Sequence, residues 1–441
     1  MRRIVSMLIA CVFLPLFIDH IGAATLEELK VQASNGNSQA EFSLGWMYFS
    51  GRGIPENHTE AAYWYRKSAE HGNREAQSTL GVLYETGDGV PTDYSEACKW
   101  YRKAAEQGSY TSQSNLGTMY ANGKGVSEDY KEAVKWFRKS AEQGWAKAQC
   151  NLANMYATGK GVEKDDRRAM KWYKASADQG YAAAQFILGA IYENGQGVPK
   201  DFIEAMMWYR TAAQQGHAQA ATNLGVMYAN GRGVQKDSRE AVKWYRVAAE
   251  KGYGEAQFNL GMSYGNGDGV PKNDAEAIKW YKLAAEQNIG AAFNNLGSIY
   301  AKGIGVLKDV RQTFTFYMKG AELGDHSSQF NLAASYYSGE GVRRNYLEAI
   351  HWYYKSAIQG DLDAQYNIGV MYAKGEGVPD DHTESYGWMY LAAQNGHAAA
   401  IQLLKALEPA MTREQLAKGR QKASEIQTTI SRELLKVQKL L

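Results

Sequence analysis

A strict period of 36 residues constrains this chain more than any other feature. A tyrosine recurs at that spacing ten times, without insertion or deletion. The ten positions are Tyr48, Tyr84, Tyr120, Tyr156, Tyr192, Tyr228, Tyr264, Tyr300, Tyr336 and Tyr372. A fixed period between about 20 and 50 residues is typical of solenoids, in which each unit buries its apolar face against its neighbours. The 441 residues therefore predict one elongated body of stacked repeats instead of two or three globular domains.

The first half of each repeat has the pattern of an amphipathic helix. An alanine, a leucine, a glycine and the tyrosine follow at i, i+4, i+5 and i+8, which places one apolar stripe along a helix. In the seventh repeat these residues are Ala256, Leu260, Gly261 and Tyr264. Glycine inside a helix costs about 1 kcal/mol relative to alanine, yet it stands there in eight copies, with Ala153 and Ala333 in the other two. The pattern predicts that another helix approaches closely at this point.

A Gly-x-Gly turn separates the two halves of the repeat, from Gly51-Arg52-Gly53 to Gly375-Glu376-Gly377. Its first glycine suits the left-handed residue that ends a helix. A glycine-rich turn before a helix is also a phosphate-binding pattern. No Lys-Ser or Lys-Thr follows any of these turns, which favours the structural interpretation.

The second helix of each repeat begins at an aspartate or asparagine, followed in eight copies by a glutamate three residues later. This spacing predicts helix caps instead of catalytic carboxylate pairs. The ten capping residues are Asn57, Asp93, Asp129, Asp165, Asp201, Asp237, Asn273, Asp309, Asn345 and Asp381. A tryptophan follows in nine copies and Phe316 in the other, with an invariant alanine five residues later. We interpret these aromatic residues as core contacts and not as a ligand cage. A glycine closes the helix in nine copies and Asn288 in the other.

The two ends of the chain depart from the repeat. Residues 1–24 have the charged start, the apolar stretch Ile4 to Ile18 and the small residues of a secretory signal peptide, with cleavage expected after Ala23 or Ala24. An uncleaved anchor and a lipoprotein signal ending at Cys11 are the alternatives. Residues 25–36 are predicted as an N-terminal capping helix, 37–405 as the ten repeats, and 406–441 as a C-terminal capping helix. Its basic end carries Arg432, Lys436 and Lys439, for which contact with a partner or a membrane surface is a second interpretation.

Composition and motifs exclude several classes of function. Lys+Arg 49 against Asp+Glu 47 gives no basic field for nucleic acid. The eight histidines have no metal-ligand spacing, and nothing indicates a metal or a cofactor. Without the signal peptide, two cysteines remain, Cys98 and Cys150. They fall two repeats apart, so we expect two buried free thiols and no disulfide, although export would permit one.

The complete unit, with Ala-x-x-x-Leu-Gly-x-x-Tyr, Gly-x-Gly-Val, Asp-x-x-Glu-Ala-x-x-Trp-Tyr and a closing Ala-Ala-x-x-Gly, resembles the Sel-one-like repeat family, a relative of the tetratricopeptide repeat. The resemblance covers about residues 37 to 405. It implies an all-α, right-handed superhelical solenoid of helix-turn-helix repeats, and a non-enzymatic adaptor that holds protein complexes together. Some cysteine-rich members have been described as β-lactamases, but this chain has neither their repeat cysteines nor any Ser-x-x-Lys motif.

A row of asparagines is the candidate binding site. Asparagine stands immediately before the leucine (or isoleucine) of the first helix in seven copies: Asn115, Asn151, Asn223, Asn259, Asn295, Asn331 and Asn367. By resemblance to tetratricopeptide domains, these amides would hold a peptide backbone or a carboxylate along the concave face. The alternative is that they bond to a neighbouring helix and set the repeat spacing. The position one residue earlier varies among the ten repeats, as in Phe42, Ser78 and Cys150, which is typical of a recognition surface or of a tolerant exposed position.

The sequence therefore predicts an exported scaffold, periplasmic or secreted, that binds a protein or peptide partner and is not an enzyme. A regulatory protein that holds a sensor or receptor inactive is the alternative within the same class. An envelope hydrolase of the β-lactamase type is the alternative from another class.

Overall fold

The computed structural model describes residues 26–440, and every regular element among them is helical. The predicted signal peptide and Thr25 lie outside the described residues. There are 23 α-helices in this part of the chain. In chain order they are α1 Leu26–Ser34, α2 Ser38–Ser50, α3 His58–Glu70, α4 Arg74–Thr86, α5 Tyr94–Glu106, α6 Tyr110–Asn122, α7 Tyr130–Glu142, α8 Ala146–Thr158, α9 Asp166–Asp178, α10 Ala182–Asn194, α11 Phe202–Gln214, α12 Ala218–Asn230, α13 Ser238–Ala249, α14 Gly254–Asn266, α15 Asp274–Glu286, α16 Gly290–Lys302, α17 Val310–Glu322, α18 His326–Ser338, α19 Tyr346–Ala357, α20 Leu362–Lys374, α21 His382–Gln394, α22 Ala398–Leu407 and α23 Arg413–Leu440.

Helices α2 to α21 form ten helix-turn-helix pairs, one for each repeat, as the period predicts. The period predicts a single body, but backbone contacts group the chain into two compact units. One unit ends at Gln215 and the other begins at Gly216. Contacts in a repeat protein are made mainly between neighbouring repeats, so each unit has a core of its own. The first unit contains α1 to α11, and the second contains α12 to α23.

The predicted caps of the second helices are confirmed in all ten repeats. Each aspartate or asparagine accepts hydrogen bonds from one or two backbone N–H groups of the first turn, as Asp237 does from Arg239 and Glu240. The cap's own N–H donates to the carbonyl of the periodic tyrosine, as Asp237 does to Tyr228 at 2.9 Å. Because that N–H is already used, the glutamate does not complete a capping box. In four repeats it pairs instead with a lysine three residues later.

The two glycines of the turn have different roles. The first adopts φ between 63° and 82° and ends the first helix in every repeat, as predicted. In six repeats the second lies against the backbone of the preceding repeat, which the sequence did not indicate. A Cβ at Gly125 would stand 2.1 Å from the Tyr94 carbonyl oxygen, and one at Gly269 would stand 2.1 Å from that of Ser238. In these six repeats, neighbouring repeats meet at this glycine through backbone atoms.

The core of the first nine repeats is a leucine, a small residue and a ring, and the tenth has Ile368, Gly369 and Met389 at these positions. The leucine (or Ile368) of the first helix is at most 1% exposed in all ten repeats. The helical glycine after it faces the aromatic ring that follows the tryptophan of the second helix. A Cβ at Gly261 would stand 2.8 Å from the Tyr281 ring, and one at Gly81 would stand 2.5 Å from the Tyr101 ring. The close approach predicted from the repeated glycine is confirmed.

A row of buried glutamines, missed in the sequence, connects seven of the repeats to the repeat before them. The members are Gln77, Gln113, Gln149, Gln185, Gln257, Gln329 and Gln365. Each donates to the carbonyl of the invariant alanine eight residues earlier. Six of them also accept a hydrogen bond from a glutamine 30 residues later. Spacing of 36 residues for these glutamines was visible in the sequence, but their burial was not.

Both terminal elements pack on the repeats beside them. Leu29 and Ala33 of α1 are buried against Ala40 and Leu44 of the first repeat. At the other end, α23 packs along α21 and buries Ala423, Ile426 and Ile430. Reciprocal bonds between Thr412 and Gln415 cap the start of this last helix. The side chains of the predicted basic end, Lys436 and Lys439, lie outside the described side chains.

Candidate functional site

The seven predicted asparagines hold one position on successive first helices. Each precedes a fully buried leucine or isoleucine, and each is itself half-buried. Two of them, Asn115 and Asn151, belong to the first unit, and the other five belong to consecutive repeats of the second unit. First helices of neighbouring repeats lie side by side along this face. The contact is seen where the Asn295 amide donates to the Met262 sulfur of the preceding repeat at 3.3 Å. We call the five asparagines Asn223, Asn259, Asn295, Asn331 and Asn367 the amide row.

Some members of the row are tied into the protein. Asn331 donates to the Asn294 Oδ1 atom at 2.8 Å, and Asn367 interacts with the Tyr353 hydroxyl of the preceding repeat. Asn295 interacts in the same way with Tyr281. Asn295 and Asn331 are therefore bonded to the preceding repeat, and Asn367 lies beside a tyrosine of the preceding repeat.

Other members are not tied. Among residues 26–440, the side chains of Asn223 and Asn259 make no hydrogen bond to another protein group, and the same holds for Asn151 of the first unit. Their amides are half-buried and keep both a donor and an acceptor for a partner. The two interpretations left open by the sequence therefore apply to different members of the row.

Tyrosine hydroxyls from the second helices reach the same face. In the first unit, the Tyr101 hydroxyl donates to Glu85 at 2.7 Å and also interacts with Asn115. Burial raises the pKa of Tyr101 well above its ordinary value, and the nearby Glu85 carboxylate adds to the effect. The hydroxyl is therefore neutral and acts as a hydrogen-bond donor at every physiological pH. The sequence did not indicate that these tyrosine hydroxyls reach the asparagines, because the tyrosines belong to the apolar core stripe of the second helix.

The variable position before each asparagine is not an exposed recognition surface. Phe42, Ser78, Ser114, Cys150 and Thr222 are buried. In the remaining repeats the residue is half-buried, and phenylalanine there packs on the core tyrosine, as Phe258 does on Tyr281 with ring centroids 5.9 Å apart. This position faces the interior of the repeat, so we attribute the variation of its side chain to differences in core packing.

The tryptophans of the second helices pack at the edge of the core. Trp100, Trp136 and Trp388 are buried and the other six are half-buried. Lysines cover several of the rings, with the Lys103 Nζ atom 4.0 Å from the Trp100 ring centroid. Where a lysine of the protein already covers the ring, the tryptophan row is not open to a ligand.

Within residues 26–440, no group of three or more histidine, cysteine, aspartate or glutamate side chains has the arrangement of a metal site. No helix in the same range has the length and apolar character needed to cross a membrane. The two cysteines are free and buried, as predicted.

The thiols should be unreactive in the folded protein. Burial raises the pKa of Cys98 to about 11 and that of Cys150 to about 12, and only the thiolate attacks a disulfide reagent. With Cys11 replaced by serine, we expect no reaction with Ellman's reagent at about pH 8 in the native state and reaction of both thiols in denaturant. Rapid labelling of the native protein would contradict the buried placement.

Comparison with known proteins agrees with this architecture. A model of the Sel1 repeat matches residues 38–73, 74–109, 111–145, 146–181, 182–217, 218–253, 254–289, 291–325, 326–361 and 362–397. The structure is similar to the crystal structure of c5321, a protective antigen present in uropathogenic Escherichia coli strains that displays an SLR fold. The TM-score is 0.76 and the identity 34%, over 94% of this chain and 90% of that chain. A Sel1 repeat protein from Oxalobacter formigenes is 38% identical over 58% of this chain and 99% of its own, with a TM-score of 0.51.

A comparison with curated proteins gives no match. Sel1 repeats and their tetratricopeptide-like relatives generally mediate protein–protein interaction and are typically not enzymes. The ten matched segments and the overall likeness to c5321 lead to one conclusion: the chain belongs to the Sel1 repeat family.

Proposed function

We propose that this protein is an exported scaffold that binds a protein partner in an extended conformation along the first helices of the second unit. The observation that carries the proposal is the pair Asn223 and Asn259, whose amides occupy equivalent positions in consecutive repeats and make no hydrogen bond within residues 26–440. A side-chain amide both donates and accepts, so it pairs with the N–H and C=O groups of an extended main chain. Two equivalent amides in register would bind the backbone of the partner at two points.

Apolar side chains lie next to these amides. Val226 and Met262 follow the two asparagines by three residues, which places them on the same side of α12 and α14. Met262 is 37% exposed, and methionine adapts to partner side chains of different shape. A partner with apolar side chains between its main-chain contacts fits this combination.

Export is the second part of the proposal. It is supported by the amino-terminal sequence, where Arg2 and Arg3 precede the apolar stretch and Gly22-Ala23-Ala24 supplies a cleavage site. The related c5321 is a protective antigen present in uropathogenic Escherichia coli strains, which gives further support to export. Mass spectrometry of the exported protein should find an amino terminus at Ala24 or Thr25, and an intact Met1 in that fraction would contradict cleavage.

Binding should depend on the untied amides and not on the tied ones. Replacement of Asn223 and Asn259 by alanine is expected to lower partner recovery from the exported fraction about tenfold, because each lost main-chain hydrogen bond costs about 0.5–1.5 kcal/mol. The measurement is a quantitative affinity capture with mass spectrometry, using wild-type and variant proteins side by side. The thermal melting curve of the variant should match that of the wild type, since neither amide is bonded within the described chain.

The matched control is the pair Asn295 and Asn331, which holds the same position but is bonded to the preceding repeat. Its alanine variant should lower stability and leave partner recovery, measured below its melting temperature, near the wild-type value. Equal recovery with the Asn223 and Asn259 variant would place the binding site elsewhere.

A further inference from the structure

A groove of about 350 Å³ opens in the second unit between α19, α20, α21 and the terminal helix α23. This volume lies at the lower end of the range of about 300–1,000 Å³ that is usual for small-molecule sites. Its walls include the rings of Tyr354, Tyr372 and Trp388, together with isoleucines from α19, α20 and α23. The charged groups in the wall are Glu384, Glu425 and Lys422.

The groove lies where the ninth repeat lacks an arginine that several other repeats have. In four repeats an arginine of the second helix donates to the periodic tyrosine of the next repeat, as Arg138 does to Tyr156 and Arg246 does to Tyr264. In the ninth repeat the corresponding residue is Tyr354, beside Tyr372. The arginine side chain that would cover the tyrosine is therefore missing, and Tyr354 is 43% exposed.

The aromatic rings are arranged around the opening and not stacked flat. The centroids of Tyr354 and Trp388 lie 5.9 Å apart with an interplanar angle of 79°. Trp388 is buried in the core cluster with Ile426 of α23, so its ring is held in place. Rings at right angles present both a π face and an edge to an occupant.

The charge in the groove is negative. Lys422 lies 2.5 Å from Glu384 and 3.9 Å from Glu425. Two carboxylates against one ammonium leave a net charge of −1 among the charged side chains of the wall. Half of the Glu425 side chain faces solvent, where it is accessible to an incoming group.

We propose that this groove binds an amphipathic organic cation, an ammonium group that carries an apolar body. The π face of the exposed Tyr354 ring and the carboxylate of Glu425 attract the ammonium group, since aromatic rings bind quaternary ammonium ions through their quadrupole. The buried Trp388 ring holds Tyr354 in place from the side. The isoleucines accept the apolar body. The site is separate from the amide row, and the proposal does not rest on the scaffold function.

The probe for the experiment is hexyltrimethylammonium, with hexyl sulfate as an anion of the same chain length. Isothermal titration of the purified full-length chain should show saturable binding of the cation at one site, at least about tenfold tighter than the anion. Tyr354→Leu keeps an apolar side chain and removes the ring, and Glu425→Gln removes the charge. Each is expected to weaken binding of the cation about tenfold. Both side chains are substantially exposed, so both variants should melt like the wild type.

The matched control is Tyr63→Leu, which removes an equally exposed tyrosine from the second helix of the first repeat. It should leave binding unchanged. Tighter binding of hexyl sulfate would assign the groove to anions through Lys422 and overturn the proposal. Wild-type affinity in Tyr354→Leu, or no saturable binding of the cation, would overturn it as well.

Discussion

Replacement of Gly261 by alanine is expected to destabilise the protein, whereas the same replacement at Gly265, one turn further along α14, is expected to stabilise it. Both changes gain about 1 kcal/mol of helix propensity. They differ in what the new methyl group meets. At Gly261 it would lie 2.8 Å from the ring of the buried Tyr281, and at Gly265 its nearest neighbour is at 3.6 Å. The difference between the two variants therefore measures the cost of overpacking, about 1–3 kcal/mol.

Chemical denaturation followed by circular dichroism measures both variants under identical conditions. The natural alanines at the equivalent positions, Ala153 and Ala333, show that a repeat can be built around a methyl group there. Loss of stability without loss of the fold is thus the expected outcome for Gly261→Ala. Equal stability of the two variants would mean that the Tyr281 ring moves aside without cost, and that the repeated glycine has another cause.

The second large effect is expected from Gln257→Met, which keeps the size of the side chain and removes its amide. Gln257 donates to the Ala249 carbonyl at 3.2 Å and accepts from Gln287 at 2.7 Å. The Ala249 carbonyl keeps its bond from the Gly252 N–H, so the variant loses two hydrogen bonds and leaves no fully orphaned acceptor. At about 0.5–1.5 kcal/mol for each bond, the free energy of unfolding should fall by roughly 1–3 kcal/mol.

A double variant with Gln287→Leu tests the origin of this loss. The eighth repeat already has Phe293 and Leu323 at the two positions, so apolar pairs are compatible with the fold. Because both single variants remove the same Gln–Gln bond, the double variant should cost less than their sum by about 0.5–1.5 kcal/mol. Strict additivity would show that the two glutamines contribute independently.

Much of the fold was predictable because the repeat multiplies every local signal by ten. A single Asp-x-x-Glu is weak evidence, but ten capping residues in register indicate where every second helix begins. The caps were confirmed, and so were the left-handed glycines and the close approach at Gly261. The glutamate of the capping motif does not bond to the N–H of the capping residue, as a capping box requires. That N–H already donates to the carbonyl of the periodic tyrosine in the same repeat.

The candidate site was predictable only as a row of positions. Periodicity placed Asn223, Asn259, Asn331 and the other asparagines on one side of the first helices, and the structure separates the tied members from the untied ones. The partners that bond two of them lie far away along the chain: Met262 is 33 residues before Asn295, and Asn294 is 37 residues before Asn331. A pattern within one helix carries no information about such contacts.

The sequence by itself determined the helix boundaries, the repeat unit and the residues that fill its core, since these depend on local hydrogen bonding and on apolar spacing that recurs every 36 residues. Only the tertiary structure decided which polar side chains form hydrogen bonds between repeats and which are left to bind a partner. The buried glutamines, the tied and untied asparagines, and the groove beside Tyr354 all depend on what the adjacent repeat or α23 places opposite them. Burial and hydrogen bonding of a polar group are properties of both surfaces in contact, and the sequence of one surface specifies only half of that pair.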